Sequence, residues 1–301
     1  MQLTILGTSS GGPFHGRHYT SQVLQVENQI FMIDCGEGTQ MQLHRYKVKF
    51  DRCNHIFISH LHGDHVYGLL GLLTNWCLKK RTGRLHLFSP PGLQEWVETT
   101  ARLCRVHFPY PIDFHEADAF AFAKVFENQK VEVWSIPLDH RMETSGWLFR
   151  EKPKPRSFRP EKGLEYGIPF GLIPGIKAGR DFVLPDGRVV PNAELTFDPP
   201  APRSYAFCSD TAPSDLVASV VQGVDLLYHE ATFTEEHVAE AAIAFHSTAA
   251  QAASVARKAG VKRLLIGHFS GRYSGTEQLL AEAKAVFPET FAAEEGRVVG
   301  I

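Results

Sequence analysis

The sequence predicts an α/β fold in which mixed β-sheets are covered by helices. Three observations carry this. Short apolar runs alternate with longer segments of helical character along all 301 residues. Some neighbouring runs read as hairpins, which need antiparallel pairing. Others are separated by helical segments, the pattern of parallel strands. A purely parallel sheet is excluded by the hairpins.

Leu3–Thr8 reads as a first strand, followed by a glycine-rich turn. SQVLQVENQIFMIDCGEG folds as a hairpin around Glu27-Asn28, and Thr39–Lys47 has helical character. Asn54–Ser59 is a short strand that ends in a histidine cluster. Val66–Lys80 reads as a buried helix, RLHLFSP as a strand and Leu93–Cys104 as a helix. Two or three strands run through AFAKVFENQKVEVWSIPLDH, and SGWLFRE is another. SYAFCSDT, VDLLYHEAT and KRLLIGHFS are apolar strands that each end in polar residues. Thr248–Ala259 is a helix with Ser247 as its cap, and Arg297–Ile301 a closing strand.

Bulk properties narrow the class. With 44% hydrophobic and 21% charged residues, the chain has an ordinary globular composition. The net charge of −2 excludes a generally basic nucleic-acid coat. No apolar run approaches ~18 residues, so no membrane span is expected, and the N-terminal segment lacks signal-peptide features. Five cysteines, an odd number without a CxxC pair, argue against a disulfide framework and for a reducing cytoplasm.

One segment stands apart. Residues 150–190 hold six prolines and six glycines, and nine Lys/Arg against five Asp/Glu, a net of +4. Gly163, Gly167, Gly171, Gly175 and Gly179 recur every fourth residue. Such an insert is either a flexible loop or an arm built for a partner.

The strongest local signal is Ser59-His60-Leu61-His62-Gly63-Asp64-His65. His60 and His62 are two apart, so in extended chain they point the same way. Asp64 and His65 belong to the turn that follows, and a tight turn aims ligands at two neighbouring metals. Imidazole and carboxylate ligands suit zinc, and manganese or iron are also accepted. Two ions need roughly seven or eight ligands, and a metal pair suits in-line phosphoryl displacement. The cluster supplies four; His140, Asp210 and His268 end later strands and supply three more. A structural zinc site would be closed and cysteine-rich, unlike this set.

HxHxDH followed by distant His, Asp and His resembles the metallo-β-lactamase superfamily over nearly the whole chain. The resemblance implies an αβ/βα sandwich, two mixed sheets face to face with helices outside. It makes residues 1–301 one domain carrying residues 150–190 as an inserted arm. His60, His62 and His140 would hold one zinc, Asp64, His65 and His268 the other, and Asp210 would bridge them.

Further stretches resemble the ribonuclease Z family in particular. These are ILGTSSGGP, DCGEGTQ (34–40), His229-Glu230-Ala231-Thr232, His246-Ser247-Thr248 and GHFSGRY (267–273). HEAT and HST are the more specific pair. Departures from the family pattern are His18 after Arg17, Leu172 after Gly171, and Gly271. The resemblance implies an endonuclease that removes the 3′ trailer of precursor tRNA, leaving a tRNA 3′-hydroxyl and a trailer 5′-phosphate. Asp64 would orient the attacking water or accept its proton. His246 would be the general acid and Glu230 would hold its ring, while His229 reads as structural.

On the arm, Lys152, Lys154, Arg156, Arg159, Lys162, Lys177 and Arg180 are candidate tRNA contacts. Arg272, with Tyr273, is a candidate RNA contact elsewhere, or a packing residue. A homodimer is implied by the resemblance alone. Two rival readings are a small-molecule phosphodiesterase or thioester hydrolase on the same metals, and an RNA-binding protein without catalysis. HEAT, HST and the basic arm oppose the first, and the full ligand set opposes the second.

Overall fold

The computed structural model describes residues 1–301. Contacts divide the chain into two units, 1–150 with 203–301, and Glu151–Pro202.

The first unit is built on two seven-stranded sheets. Strands β1 (Gln2–Gly7), β2 (Ser21–Val26), β3 (Gln29–Ile33), β4 (His55–Phe57), β5 (Leu85–Ser89) and β6 (Ile112–Glu116) enter sheet 1. Sheet 2 takes β7 (Ala123–Glu127), β8 (Val131–Pro137), β9 (Ser145–Glu151), β10 (Ser204–Cys208), β11 (Leu226–Glu230), β12 (Leu264–Gly267) and β13 (Thr290–Ala292). The last strand, β14 (Val298–Gly300), returns to sheet 1 and pairs antiparallel with β1. Sheet 1 is antiparallel from β14 through β3 and parallel from β3 to β6. Sheet 2 is parallel from β10 to β13, with β9 antiparallel against β10. The mixture matches the expectation from hairpins and helical crossovers.

Alternate side chains of one strand serve two cores, because the side-chain period of a strand is two. Phe31 and Ile33 of β3 join Phe57, Trp147, Phe149, Phe207 and Tyr228 between the sheets. Ile30 and Met32 of the same strand pack with Leu43, Leu69, Leu72 and Trp76 of the helices over sheet 1. In β12, Leu265 faces the sheet interface, while Leu264 and Ile266 meet Ala252, Ala256 and Leu279 of the helices over sheet 2. Both faces are covered, so these strands read as continuous apolar runs instead of alternating ones. Between the sheets, Phe57 and Phe88 stack at 4.5 Å, and Trp147 and Phe149 meet the Phe57 ring edge-on at 5.3 Å. Each such pair adds about 0.5–1.5 kcal/mol beyond area burial. All five cysteines are free, and no helix is long and apolar enough to cross a membrane.

The cap of the helix after HST is not Ser247. The helix is Ala249–Ala259, and Thr248 caps it. Thr248 Oγ1 accepts from Gln251 N at 3.2 Å, and Gln251 Oε1 accepts from Thr248 N at 2.9 Å. That reciprocal pair is a capping box. Ser247 is committed elsewhere, donating from Oγ to Thr211 O at 2.8 Å and from N to Glu230 Oε1 at 3.0 Å.

The second unit extends the sequence-derived boundary of 190 to Pro202. It is not a bare loop. Ser157–Phe158 pairs with Thr196–Phe197, and Phe182–Val183 with Val189–Val190. Ile168, Ile176, Phe182, Val190 and Leu195 form its own small core. Buried Asn192 donates from Nδ2 to Ile176 O at 2.7 Å and Arg180 O at 2.8 Å, and accepts from Thr196 Oγ1 at 3.0 Å. Gly179 ends the helix Ile173–Lys177 at φ +101°, a conformation that disfavours a side chain. The added residues 191–202 carry Glu194 and Asp198, and the start at Glu151 leaves out Arg150, so residues 151–202 hold eight Lys/Arg against seven Asp/Glu, a net of +1. Arg156 pairs with Asp198, and Lys162 lies 2.8 Å from Glu165 and 3.6 Å from Glu194. Two of the expected phosphate contacts are therefore matched to carboxylates within the unit.

Thr248→Ala should cost about 1 kcal/mol, the usual value of a lost N-cap. The expected result is a lower denaturant midpoint at unchanged slope; an unchanged midpoint would show that Gln251 and the helix need no cap there.

Candidate active site

Polar residues gather where strands of both sheets run out at their carboxyl ends, the place where α/β sheets bind ligands. After β4 the chain passes Ser59, His60 and His62 into a short helix, Gly63–Val66, whose first turn carries Asp64 and His65. His140 follows β8, Asp210 follows β10 and His268 follows β12. The loop after β3 lies directly against the ligand-bearing helix. Cys35 N donates to His65 O at 2.7 Å, and Gly68 N to Cys35 O at 2.9 Å. A Cβ at Gly68 would sit 2.1 Å from Gly36 O, so the close approach requires glycine.

The seven expected ligands form two groups. His60 Nε2 lies 3.0 Å from His62 Nδ1, which lies 3.3 Å from His140 Nε2. Asp210 Oδ2 is 3.6 Å from His60 Nε2 and 3.8 Å from His140 Nε2. In the second group His65 Nε2 and His268 Nε2 are 3.3 Å apart, and Asp64 Oδ2 is 3.6 and 3.5 Å from them. The other oxygen of Asp210, Oδ1, is 3.3 Å from His65 Nε2 and 3.2 Å from His268 Nε2. Metal bonds of about 2.0–2.1 Å at tetrahedral angles separate ligand atoms by about 3.3 Å. The spacing therefore fits metal ions, with one Asp210 oxygen turned to each group.

A second ring of groups orients these ligands, as metal-binding histidines require. Buried Asp34 accepts from Ser59 N at 2.7 Å and Ser59 Oγ at 2.8 Å, and its Oδ2 lies 2.7 Å from His65 Nδ1. Thr232 Oγ1 lies 3.0 Å from His268 Nδ1 and donates to Glu230 Oε2 at 2.7 Å. The Phe245 carbonyl lies 3.1 Å from His140 Nδ1, and Gly11 N donates to Asp64 Oδ2 at 2.8 Å. Asp34, Phe245 and His268 all have φ between 55 and 59°. Left-handed backbone of this kind costs of order 1–3 kcal/mol per residue and concentrates at functional sites.

Glu230 ends β11, fully buried. It accepts from Thr211 N at 3.2 Å, Thr232 N at 2.9 Å and Ser247 N at 3.0 Å, and its Oε1 lies 2.7 Å from His246 Nδ1. Burial would lower the His246 pKa, but the charge and hydrogen bond of Glu230 outweigh it and raise it to about 9. Burial would raise the Glu230 pKa, but His246 holds it below the usual carboxylate value. His246 lines a cavity of about 160 Å³ together with Gly11, His62, Asp64, His140 and Asp210. With Nδ1 taken by Glu230, Nε2 is the ring atom left for a bound molecule. His229 is buried with Nδ1 2.8 Å from Glu230 O, a structural placement.

Arg272 lies over the Phe233 ring at 5.9 Å, and Arg159 over Phe197 at 4.0 Å. Tyr273 OH lies 3.1 Å from Thr234 Oγ1, a packing role. Two departures in the motifs have local causes. A Cβ at Gly271 would meet the Phe14 ring at 2.2 Å, and His18 Nδ1 lies 2.8 Å from Glu295 Oε2. The sequence reading assigns no role to Asp34, Ser59, Thr232 or the Phe245 carbonyl. Asp34 had a usable signal, since it follows an apolar strand just as Asp210 and His268 do.

Comparison with known proteins agrees with this geometry. Human tRNase Z, short form, superposes with a TM-score of 0.71 at 26% identity, over 100% of this chain and 99% of that one. The metallo-β-lactamase fold protein YhfI from Bacillus subtilis superposes with a TM-score of 0.69 at 17% identity, over 99% and 98%. A family profile described as Anti-Pycsar protein Apyc1 matches residues 1–104. With human tRNase Z at 26% identity over the whole chain, the paired His/Asp groups on this fold put the chain among metal-dependent hydrolases of the metallo-β-lactamase fold. Ribonuclease Z of Porphyromonas gingivalis is 47% identical over 97% of this chain and 96% of its own length. That of Bacteroides fragilis is 45% identical over 100% and 99%. The chain belongs to the ribonuclease Z family of tRNA-processing endoribonucleases.

Asp34→Asn removes the charge behind His65 and should weaken metal binding 10–100-fold. A competition titration against a chelator measures it; wild-type affinity in the variant would reduce Asp34 to a loop fastener.

Proposed function

We propose that the chain removes the 3′ trailer of precursor tRNA, leaving a tRNA 3′-hydroxyl and a trailer 5′-phosphate. The observation that carries this reading is the Glu230–His246 pair beside the two ligand groups, a proton source next to a metal site. His60, His62 and His140 would hold one zinc, Asp64, His65 and His268 a second, with Asp210 shared; manganese or iron would also suit these ligands. When bound, the metals would polarise the scissile phosphate and lower the pKa of the attacking water.

The chain's own groups do the rest. Asp64, held by Gly11 N, orients the water or accepts its proton. His246, protonated at neutral pH, gives a proton to the departing 3′-oxygen, and Glu230 keeps the ring aimed. The 151–202 unit is the tRNA-binding arm of this reading. Lys152, Lys154, Arg156, Arg159, Lys162, Lys177 and Arg180 are its candidate phosphate contacts, of which Arg156 also pairs with Asp198 and Lys162 with Glu165 and Glu194. A homodimer working in the cytoplasm completes the reading, on the family resemblance.

The decisive assay incubates the metal-loaded protein with a tRNA bearing a 3′ trailer and maps the cut. Cleavage after the discriminator base, lost in Asp64→Ala, is expected. Metal-dependent turnover of a simple phosphodiester or thioester without tRNA cleavage would replace this reading with a small-molecule hydrolase.

His246→Ala should lower kcat by roughly 10²–10⁴-fold, the usual worth of a general acid. The pH profile tests the same role. A raised histidine pKa means the proton is present below about 9 and lost as pH rises through it. Wild-type kcat should therefore fall on the alkaline side, and Glu230→Gln should move the fall to lower pH. An unmoved limb would separate it from His246.

A further inference from the structure

A second constellation of metal-ligating side chains lies away from the site described above. His86 on β5 pairs in register with His55 on β4 and with Asp113 on β6, and Phe88 pairs with His115. Asp113 and His115 are two residues apart on one strand, so both share the face that carries His86 and Phe88. That face is the inner one of sheet 1, as the place of Phe88 between the sheets shows. Because β6 is the edge strand, the group sits at an open mouth of the sandwich instead of in its centre. The side chains of His86 and Asp113 are 28% and 33% exposed, so solvent ions reach them.

The ligand atoms converge. His86 Nδ1 lies 3.1 Å from His115 Nε2 and 3.4 Å from Asp113 Oδ2, and all three lie within 4.8 Å of one another. Those separations fall in the range of the catalytic ligand groups, from 3.0 to 3.8 Å, and match the ~3.3 Å edge of a tetrahedral zinc site. Aromatic stacking holds the rings in place. His115 stacks on Phe88 at 4.5 Å, and His86 on His55 at 5.1 Å. Arg84 occupies the other oxygen of Asp113, Oδ1, and leaves Oδ2 toward the histidines. Burial first, and neighbouring histidines after it, lower the pKa of His55 to about 4, and burial also lowers that of His86.

We propose that His86, Asp113 and His115 form a separate site for a borderline divalent transition metal, which clamps edge strand β6 to β5. Two imidazoles and one carboxylate leave a fourth position open for water, so the site is accessible and exchangeable. It lies level with the start of β4, whereas His60 and His62 follow that strand's end. A metal here needs no contact with the catalytic ligands.

The test uses zinc as the probe. Wild type and a His86→Asn/His115→Asn double variant are equilibrated with buffered excess zinc, desalted and assayed for bound metal. The variant should hold about one zinc per chain fewer and retain tRNA cleavage. Equal zinc content in the two proteins overturns the proposal. Zinc-soaked crystals of the wild type give an answer that does not depend on the variant folding. An anomalous peak among His86 Nδ1, His115 Nε2 and Asp113 Oδ2 is expected. Peaks at the catalytic ligands with none among these three would leave an ordinary imidazole–imidazole hydrogen bond in place of a site.

Discussion

A carboxylate taken completely out of water must be given hydrogen-bond donors, and the site rests on two of them. Asp34 and Glu230 are fully buried, one at the end of a strand in each sheet. Asp34 collects Ser59 and His65; Glu230 collects Thr211, Thr232, Ser247 and His246. An unpaired buried carboxylate is expensive, so each draws the loops that can satisfy it into one arrangement. Those loops carry the ligands. Thr232 extends the reach of Glu230 to His268, and Ser59 joins Asp34 to the peptide just before His60. The placement of the seven candidate ligands is thus supported by groups outside that set.

Much of this was legible in the sequence, for a definite reason. Both faces of each central strand are covered, so apolar runs such as LLYHE and LLIG stand out, and the polar residue that ends each run marks the site rim. His140, Asp210 and His268 were readable in that way. The cap at Thr248 was not, because Ser247 and Thr248 are equally good capping residues in isolation. What decides between them is a tertiary demand, the pull of Glu230 and Thr211 on Ser247. The role of Asp34 was hidden similarly, since its partner His65 is 31 residues away in the chain.

The arm shows how composition misleads about extent and charge. Proline and glycine density marked its beginning, but its end depends on Leu195 reaching back to Ile168 and Ile176. Once residues 191–202 are included, Glu194 and Asp198 cancel much of the apparent basic charge. Charge counted along a sequence window and charge presented by a folded unit are different quantities. Glycines spaced every fourth residue do not make a repeat here; they fall at unrelated turns and packing points, as Gly179 at a helix end and Gly163 against the Phe158 ring illustrate.

The pairing of β1 with β14 sets the order in which the molecule can be finished. Gln2, Leu3 and Thr4 are partnered by Gly300, Val299 and Val298, so β1 waits for β14. During synthesis that edge of sheet 1 stays open until Val298–Gly300 has emerged. His268 likewise comes more than 200 residues after the first ligand, His60. An incomplete chain therefore lacks a complete ligand set.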